Sequence, residues 1–150
     1  MFTWSHKYSM DVDLSLKKTW DFYTNPTNWP KWEDRLESCA LDETFLAGSR
    51  VRAKIKNKSA WLSILVTDVK PYQESKLLIN IPLFTQENLT TYEEIAAGKT
   101  RITTIVCVSS LFAPFMKRLF IRNTEKSRIQ CLAAFTQLAE SLFSLPLTKT

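Results

Sequence analysis

Residues 110–145 constrain this chain more than any other stretch. They read as a single amphipathic helix that takes up the last third of the sequence. Ser110 is placed to cap it. Pro114 falls in the first turn, where backbone N–H groups lack intrahelical partners, and Pro146 closes it. At a rise of 1.5 Å per residue, roughly thirty residues give about 45–50 Å of helix, which is long for one domain. Steps of three and four residues place Met116, Phe120, Asn123, Ser127, Cys131, Phe135, Leu138 and Leu142 on one face. Both ends of that stripe are apolar, and its middle, from Asn123 to Gln130, is small and polar. A helix laid on a solid core is apolar along its whole buried face, whereas one that covers a cavity need not be. The pattern predicts a container.

The totals narrow the contents of that container. A chain of 150 residues fits one domain, 1–150, with a core large enough to need no staples. Two glycines, Gly48 and Gly98, exclude a Walker loop and a dinucleotide-binding GxGxxG turn. One histidine and three scattered cysteines (Cys39, Cys107, Cys131) leave no ligand set for zinc, so no metal and no cofactor is expected. Unpaired thiols and an N-terminus without a basic leader and apolar run predict a cytoplasmic protein. No stretch approaches the eighteen or more apolar residues of a membrane span. The net charge of +5 is a modest bias towards anionic partners.

Ahead of the helix the period is two. Trp4, His6, Tyr8, Met10 and Val12 form the apolar face of a first strand, in which His6 reads as a half-buried strand histidine with no acid–base partner nearby in sequence. A short helix follows, with Leu16, Trp20 and Tyr23 on one face, capped by Asp13 or Ser15. Asn25 to Trp32 is too rich in turn formers for regular structure, and its two tryptophans read as a plug at one end of the core or as a pocket rim. Strands are expected at 35–41, around Arg50–Lys58, through Leu62, Ile64 and Val66, at 77–81, at 90–96 and at 101–109. Arg50, Arg52, Lys54, Lys56 and Lys58 put five cations on one strand face, a row that wants water or an anionic surface. No aromatic residue interleaves with them, so nucleic acid is a poor fit as a partner. Sequential strands with short turns make an antiparallel sheet, and the terminal helix is the element long enough to cover its buried face.

Several local patterns resemble one family. They are Thr19-Trp20 after the first strand, Asn25-Pro26 with Trp29-Pro30-Lys31-Trp32, Gly48-Ser49, Val66-Thr67-Asp68-Val69-Lys70-Pro71, Gly98-Lys99-Thr100-Arg101-Ile102-Thr103, and Leu111-Phe112-Ala113-Pro114-Phe115. In this order they resemble the START/Bet v 1-like (SRPBCC) superfamily, in its polyketide cyclase/dehydrase-like branch. The resemblance implies an α+β helix-grip fold: a curved antiparallel sheet of six to seven strands around a long C-terminal helix, with two short helices after strand 1. It implies a cavity between sheet and helix, lined by Trp32, Val66, Ile79, Val106, Met116 and Phe120, with Asn123, Ser127 and Gln130 as orienting polar groups.

The expected function is binding or transport of a small hydrophobic molecule of lipid, polyketide, quinone or isoprenoid type. A cyclase or aromatase in the same cavity is the alternative. It needs a buried acid such as Glu93 or Glu94, and strand parity points only one of those inward. A third reading is a lipid carrier that docks on an anionic membrane through its basic strand face, together with Lys117, Arg118, Arg122, Lys126 and Arg128.

Overall fold

The computed structural model describes residues 2–111 and 115–143. In chain order these form β1 (Phe2–Val12), α1 (Leu16–Tyr23), a 3-10 helix (Pro26–Lys31), β2 (Leu36–Leu41), β3 (Arg50–Ile55), β4 (Trp61–Lys70), β5 (Glu74–Ile81), β6 (Phe84–Ala96), β7 (Lys99–Ser110) and α2 (Phe115–Phe143). The strands make one seven-stranded sheet in the order β1-β7-β6-β5-β4-β3-β2. Every pairing is antiparallel. This is the α+β helix grip that the sequence leads one to expect.

Register fixes which side chains share the concave face, because successive residues on a strand point to opposite faces. One row, Trp4–Val108–Gln86–Ile79–Ile64–Val51–Leu41, crosses all seven strands. The next row is His6–Val106–Asn88–Leu77–Val66, followed by Tyr8–Thr104–Thr90–Ser75 and then by Met10–Ile102–Tyr92.

The principal core gathers at the end where β1 finishes. Met10, Val12, Ile102 and Tyr92 from the sheet meet Trp20, Trp29, Trp32, Cys131, Phe135 and Ala139 there, all buried. Rings dominate the packing. Tyr23 stacks on Trp32 at 5.7 Å, Phe22 lies 4.9 Å from Phe135, and Trp20 meets Tyr92 edge-on at 4.8 Å. Each buried aromatic of this kind contributes about 1.5–3 kcal/mol by removal from water.

The structure corrects the sequence reading at four places. β3 ends at Ile55, so Lys56 and Lys58 lie in the turn that follows, and Arg50, Arg52 and Lys54 are the cations left on the expected five-cation strand face. Ser110 does not cap the long helix; it is buried as the last residue of β7, paired with Phe2 and Phe84. The β-strand pattern simply runs on past Val108. Pro114, Leu145 and Pro146 lie outside the described residues. The segment after α1 is regular, a 3-10 helix begun by Asn25, whose side chain accepts from the Thr27 N–H, with Pro26 at its first position. It buries Trp29, whose indole N–H donates to the Tyr23 carbonyl at 2.9 Å, and is followed by buried Trp32. These tryptophans plug the core. Finally, β6 begins at Phe84 rather than near Thr90, so Gln86 and Asn88 are strand residues.

Candidate ligand-binding site

The helix that fills the grip has unlike halves. Towards its C-terminal end Cys131, Phe135, Leu138, Ala139 and Leu142 enter the principal core. Near its N-terminal end Phe120 packs with Trp4, their rings 6.3 Å apart, in a second, smaller cluster with Val106 and Val108, flanked by Tyr8 and Phe84. Between them lies the polar interval read from the sequence, and the structure shows what occupies it.

That interval is tied down on both sides. Glu125 meets His6 Nε2 of β1 at 3.1 Å, and Arg128 Nε donates to the other Glu125 oxygen at 2.8 Å. The bond from Arg128, then that from His6, holds the Glu125 carboxyl below its ordinary pKa. On the other side Ser127 Oγ donates to Glu33 Oε2 at 3.2 Å, and Gln130 Nε2 to Asp34 Oδ2 at 3.1 Å. Gln130 and then Lys126, 3.0 Å away, hold Asp34 below the usual carboxylate range. The middle of α2 is therefore latched to β1 and to the turn after the 3-10 helix.

The concave face of the middle strands is less well covered. α2 runs close to β1 and the 3-10 helix. At the level of the polar interval, Leu77 and Ile79 of β5 and Gln86 and Asn88 of β6 point inward and stay half-buried. Gln86 Nε2 donates to Asn88 Oδ1 at 3.0 Å. In the same register row as Gln86, the Trp4 indole N–H is buried without a hydrogen-bond partner among the described residues. Such a group costs stability unless something accepts from it.

Between this region and the packed core lies a band of neutral hydroxyls. Thr90 and Thr104 share a 3.1 Å hydrogen bond, and Ser75 meets the Tyr92 hydroxyl at 3.4 Å. Burial pushes the Tyr8 phenol up to about 12 and those of Tyr23 and Tyr92 well above their usual value. Burial raises the Cys131 thiol as well. All of these groups are uncharged at neutral pH. They can bond to neutral oxygen functions, but they carry no charge with which to bind an ion.

The residues expected from sequence divide among these environments. Val106 and Phe120 belong to the second cluster, Met116 and Asn123 are half-buried on the N-terminal half of α2, and Ile79 packs half-buried against the principal core. Ser127 and Gln130 form the latch. Trp32 and Val66 are buried in the principal core. Glu93 and Glu94 are both exposed near the β6–β7 turn, so neither supplies a buried acid. His6, which has no neighbouring partner in sequence, gains one in Glu125 from 119 residues away. Sequence reasoning missed Trp4, Gln86, Asn88, Glu125 and Arg128. The stretch Phe84–Asn88 shows no apolar alternation that would have marked a strand. A shallow groove elsewhere is lined entirely by α2 residues, including Ile129, Ala133 and Gln137.

Comparison with known proteins agrees with this architecture. Residues 3–140 match the family described as polyketide cyclase / dehydrase and lipid transport. No curated protein matches significantly. Among solved structures, a START superfamily protein from Mycobacterium smegmatis is similar, at TM-score 0.73 and 14% identity over 89% of this chain and 98% of that one. The di-domain ARO/CYC BexL from the BE-7585A biosynthetic pathway aligns at TM-score 0.71 and 12% identity, over 94% of this chain and 48% of the other. Ara h 8.0201 aligns at TM-score 0.66 and 10% identity, over 91% and 99%. Family and fold both fit the binding of a small hydrophobic molecule. The chain belongs to the polyketide cyclase / dehydrase and lipid transport family, and it shares its fold with the START superfamily protein.

Proposed function

We propose that this protein binds one small, largely hydrophobic molecule beneath the N-terminal half of α2, against Leu77, Ile79 and Val106. The observation that carries this is the buried Trp4 indole N–H, without a partner among the described residues, in the register row that continues through Val108 to half-buried Gln86 and Ile79. Such a surface suits a ligand with a long apolar body and a neutral oxygen acceptor. Each CH₂ moved from water into the site contributes about 0.8 kcal/mol, so the apolar body supplies most of the affinity. The acceptor oxygen meets Trp4, and the amide atoms of Gln86 and Asn88 left over from their mutual bond orient it. Lipids, polyketides, quinones and isoprenoids all have this form. In this arrangement Met116, Phe120 and Asn123 roof the site. Ser127 and Gln130 hold the roof in place, and Val66 and Trp32 back its wall.

The experiment is native mass spectrometry of the protein as purified from cells, followed by organic extraction, with uptake of the fluorescent probe cis-parinaric acid, supplied as its neutral methyl ester, measured in parallel. The expected result is stoichiometric uptake by the wild type and its loss in Asn88→Trp, which fills the site from the middle strand without altering the packed core. Equal uptake by both proteins would place any ligand elsewhere.

A cyclase- or dehydratase-like activity in the same space is the second reading, favoured by one observation. His6 lies on the concave face, oriented by Glu125, which Arg128 in turn holds ionised. On that reading His6→Gln abolishes turnover of a polyketide substrate and leaves parinaric acid uptake intact.

A further inference from the structure

The end of the grip nearest this site carries a surface that ligand binding does not explain. β1 starts there, β5 ends there, β6 starts there and β7 ends there, as the pairs Phe2–Ser110, Phe84–Ser110 and Ile81–Phe84 show. Phe2, Ile81, Leu83, Leu111 and Leu119 project from it, each 43–54% exposed. The Leu111 N–H donates to the Leu83 carbonyl at 3.2 Å, which joins the end of β7 to the β5–β6 turn. Phe120, next to Leu119, lies against Trp4 and so brings the first turns of α2 to the same end.

Two further features set this end apart. Residues 2–5, 80–86 and 105–124 contain no Asp or Glu, yet the last of these segments supplies Lys117, Arg118 and Arg122, all exposed. Among the described residues none of the three has an ion-pair partner. At the opposite end the charges are paired, Arg101 with Asp11 at 2.8 Å and Lys70 with Glu74 at 3.5 Å. Two of the three β3 cations are also compensated: Arg52 meets Asp42 and Lys54 meets Glu37, each at 2.9 Å. The second feature is the turn itself. Leu83 sits in the left-handed region at φ 66°, just after Pro82, a position that favours glycine or asparagine. An exposed leucine there is held against backbone preference, and such a departure points to a role for the side chain.

We infer that this end docks on an anionic lipid bilayer, with Ile81, Leu83 and Leu111 entering the headgroup–acyl boundary and Lys117, Arg118 and Arg122 meeting anionic headgroups. Exposed aliphatics ringed by unpaired cations and free of carboxylates match that boundary in both polarity and charge. The surface adjoins the proposed site, so a ligand leaving the bilayer would pass from lipid to pocket without crossing water. The docking itself rests on surface residues alone, so vesicle binding and probe uptake can fail separately.

The test is co-flotation of the full chain with phosphatidylcholine vesicles, with and without about 30% phosphatidylserine, at low and high salt. The wild type is expected to bind the anionic vesicles and to release them as salt rises. Leu83→Asn relieves the backbone and removes the apolar wedge. It should bind at least about tenfold more weakly while melting no lower than the wild type. Replacing Lys117, Arg118 and Arg122 with glutamine should weaken binding roughly fivefold per residue and abolish most of the salt dependence. Arg52→Gln on β3 combined with Trp61→Ala on β4 should change nothing. Three results would overturn the inference: wild type that ignores anionic vesicles at low salt, Leu83→Asn that binds as tightly, or a stronger loss from the Arg52/Trp61 variant. A dimer that dissociates on Leu83→Asn would overturn it too, by showing that a second copy covers the patch.

Discussion

One half of the grip is closed by stacked aromatic rings, and the other holds a smaller cluster among half-buried side chains. Where β1 ends, Phe135 of α2 is enclosed by Phe22, Tyr23 and Trp32, and the sheet beneath is fully buried. Where β1 begins, Phe120 and a run of polar residues face half-buried side chains, and Trp4, Val106 and Val108 form a small buried cluster. The same helix crosses both halves. Burial is thus concentrated where β1 ends, and a chain built this way can leave the other half loosely packed because the first half carries most of the stability.

The largest expected effect breaks the packed half. Phe135→Ala should cost about 3–5 kcal/mol in urea unfolding, because the surrounding rings cannot close the gap. A loss under about 1 kcal/mol would mean that this half is as loosely filled as the other. Next comes alkaline pH, which probes the hydroxyl band between the halves. Burial raises the folded-state pKa of Tyr8 to about 12. Its stabilisation is fully present below the unfolded tyrosine value near 10 and is lost as pH rises through the folded value, a change of about 2–3 kcal/mol. Tyr23 and Tyr92 shift in the same direction. In a Tyr72→Phe background, which leaves only these three phenols, tyrosinate absorbance should therefore appear together with unfolding rather than ahead of it.

In the open half the balance between stability and binding reverses. Phe120→Ala should lower stability by only about 1 kcal/mol, since the ring is half-buried, yet cut parinaric acid uptake by at least about tenfold. The smallest effect concerns the latch. Glu125→Gln should cost under about 1 kcal/mol at neutral pH, because the carboxylate is partly exposed and screened. The folded-state pKa of Glu125 is lowered, chiefly by Arg128, so its contribution is present at neutral pH and lost as pH falls through that lowered value. The gap between wild type and variant should accordingly close in acid. A gap that widened in acid would break the latch account.

Much of this contrast could be read before any coordinates. The 29-residue α2 and its polar middle are carried by local periodicity, as are β1 and β7, whose β-branched alternation is strong. The start of β6 was not legible, because Gln86 and Asn88 point inward and look like loop residues in sequence. Nor was the latch. Ser127 and Gln130 find Glu33 and Asp34 from 94 and 96 residues away, a pairing that only the closed sheet creates. The unpartnered state of Trp4 depends on what the packing omits, and a sequence does not display that.

The five tryptophans offer the most direct measurement, since they sample both halves. Trp20, Trp29 and Trp32 lie in the packed half, Trp4 in the open half and Trp61 on the outer surface. We would follow the five indole N–H resonances by NMR during titration with the methyl ester of cis-parinaric acid. The expected result is a large shift of Trp4 as it gains an acceptor, with Trp20, Trp29 and Trp32 unmoved. Shifts at those three with Trp4 unchanged would contradict the account and move the ligand to the half described here as full.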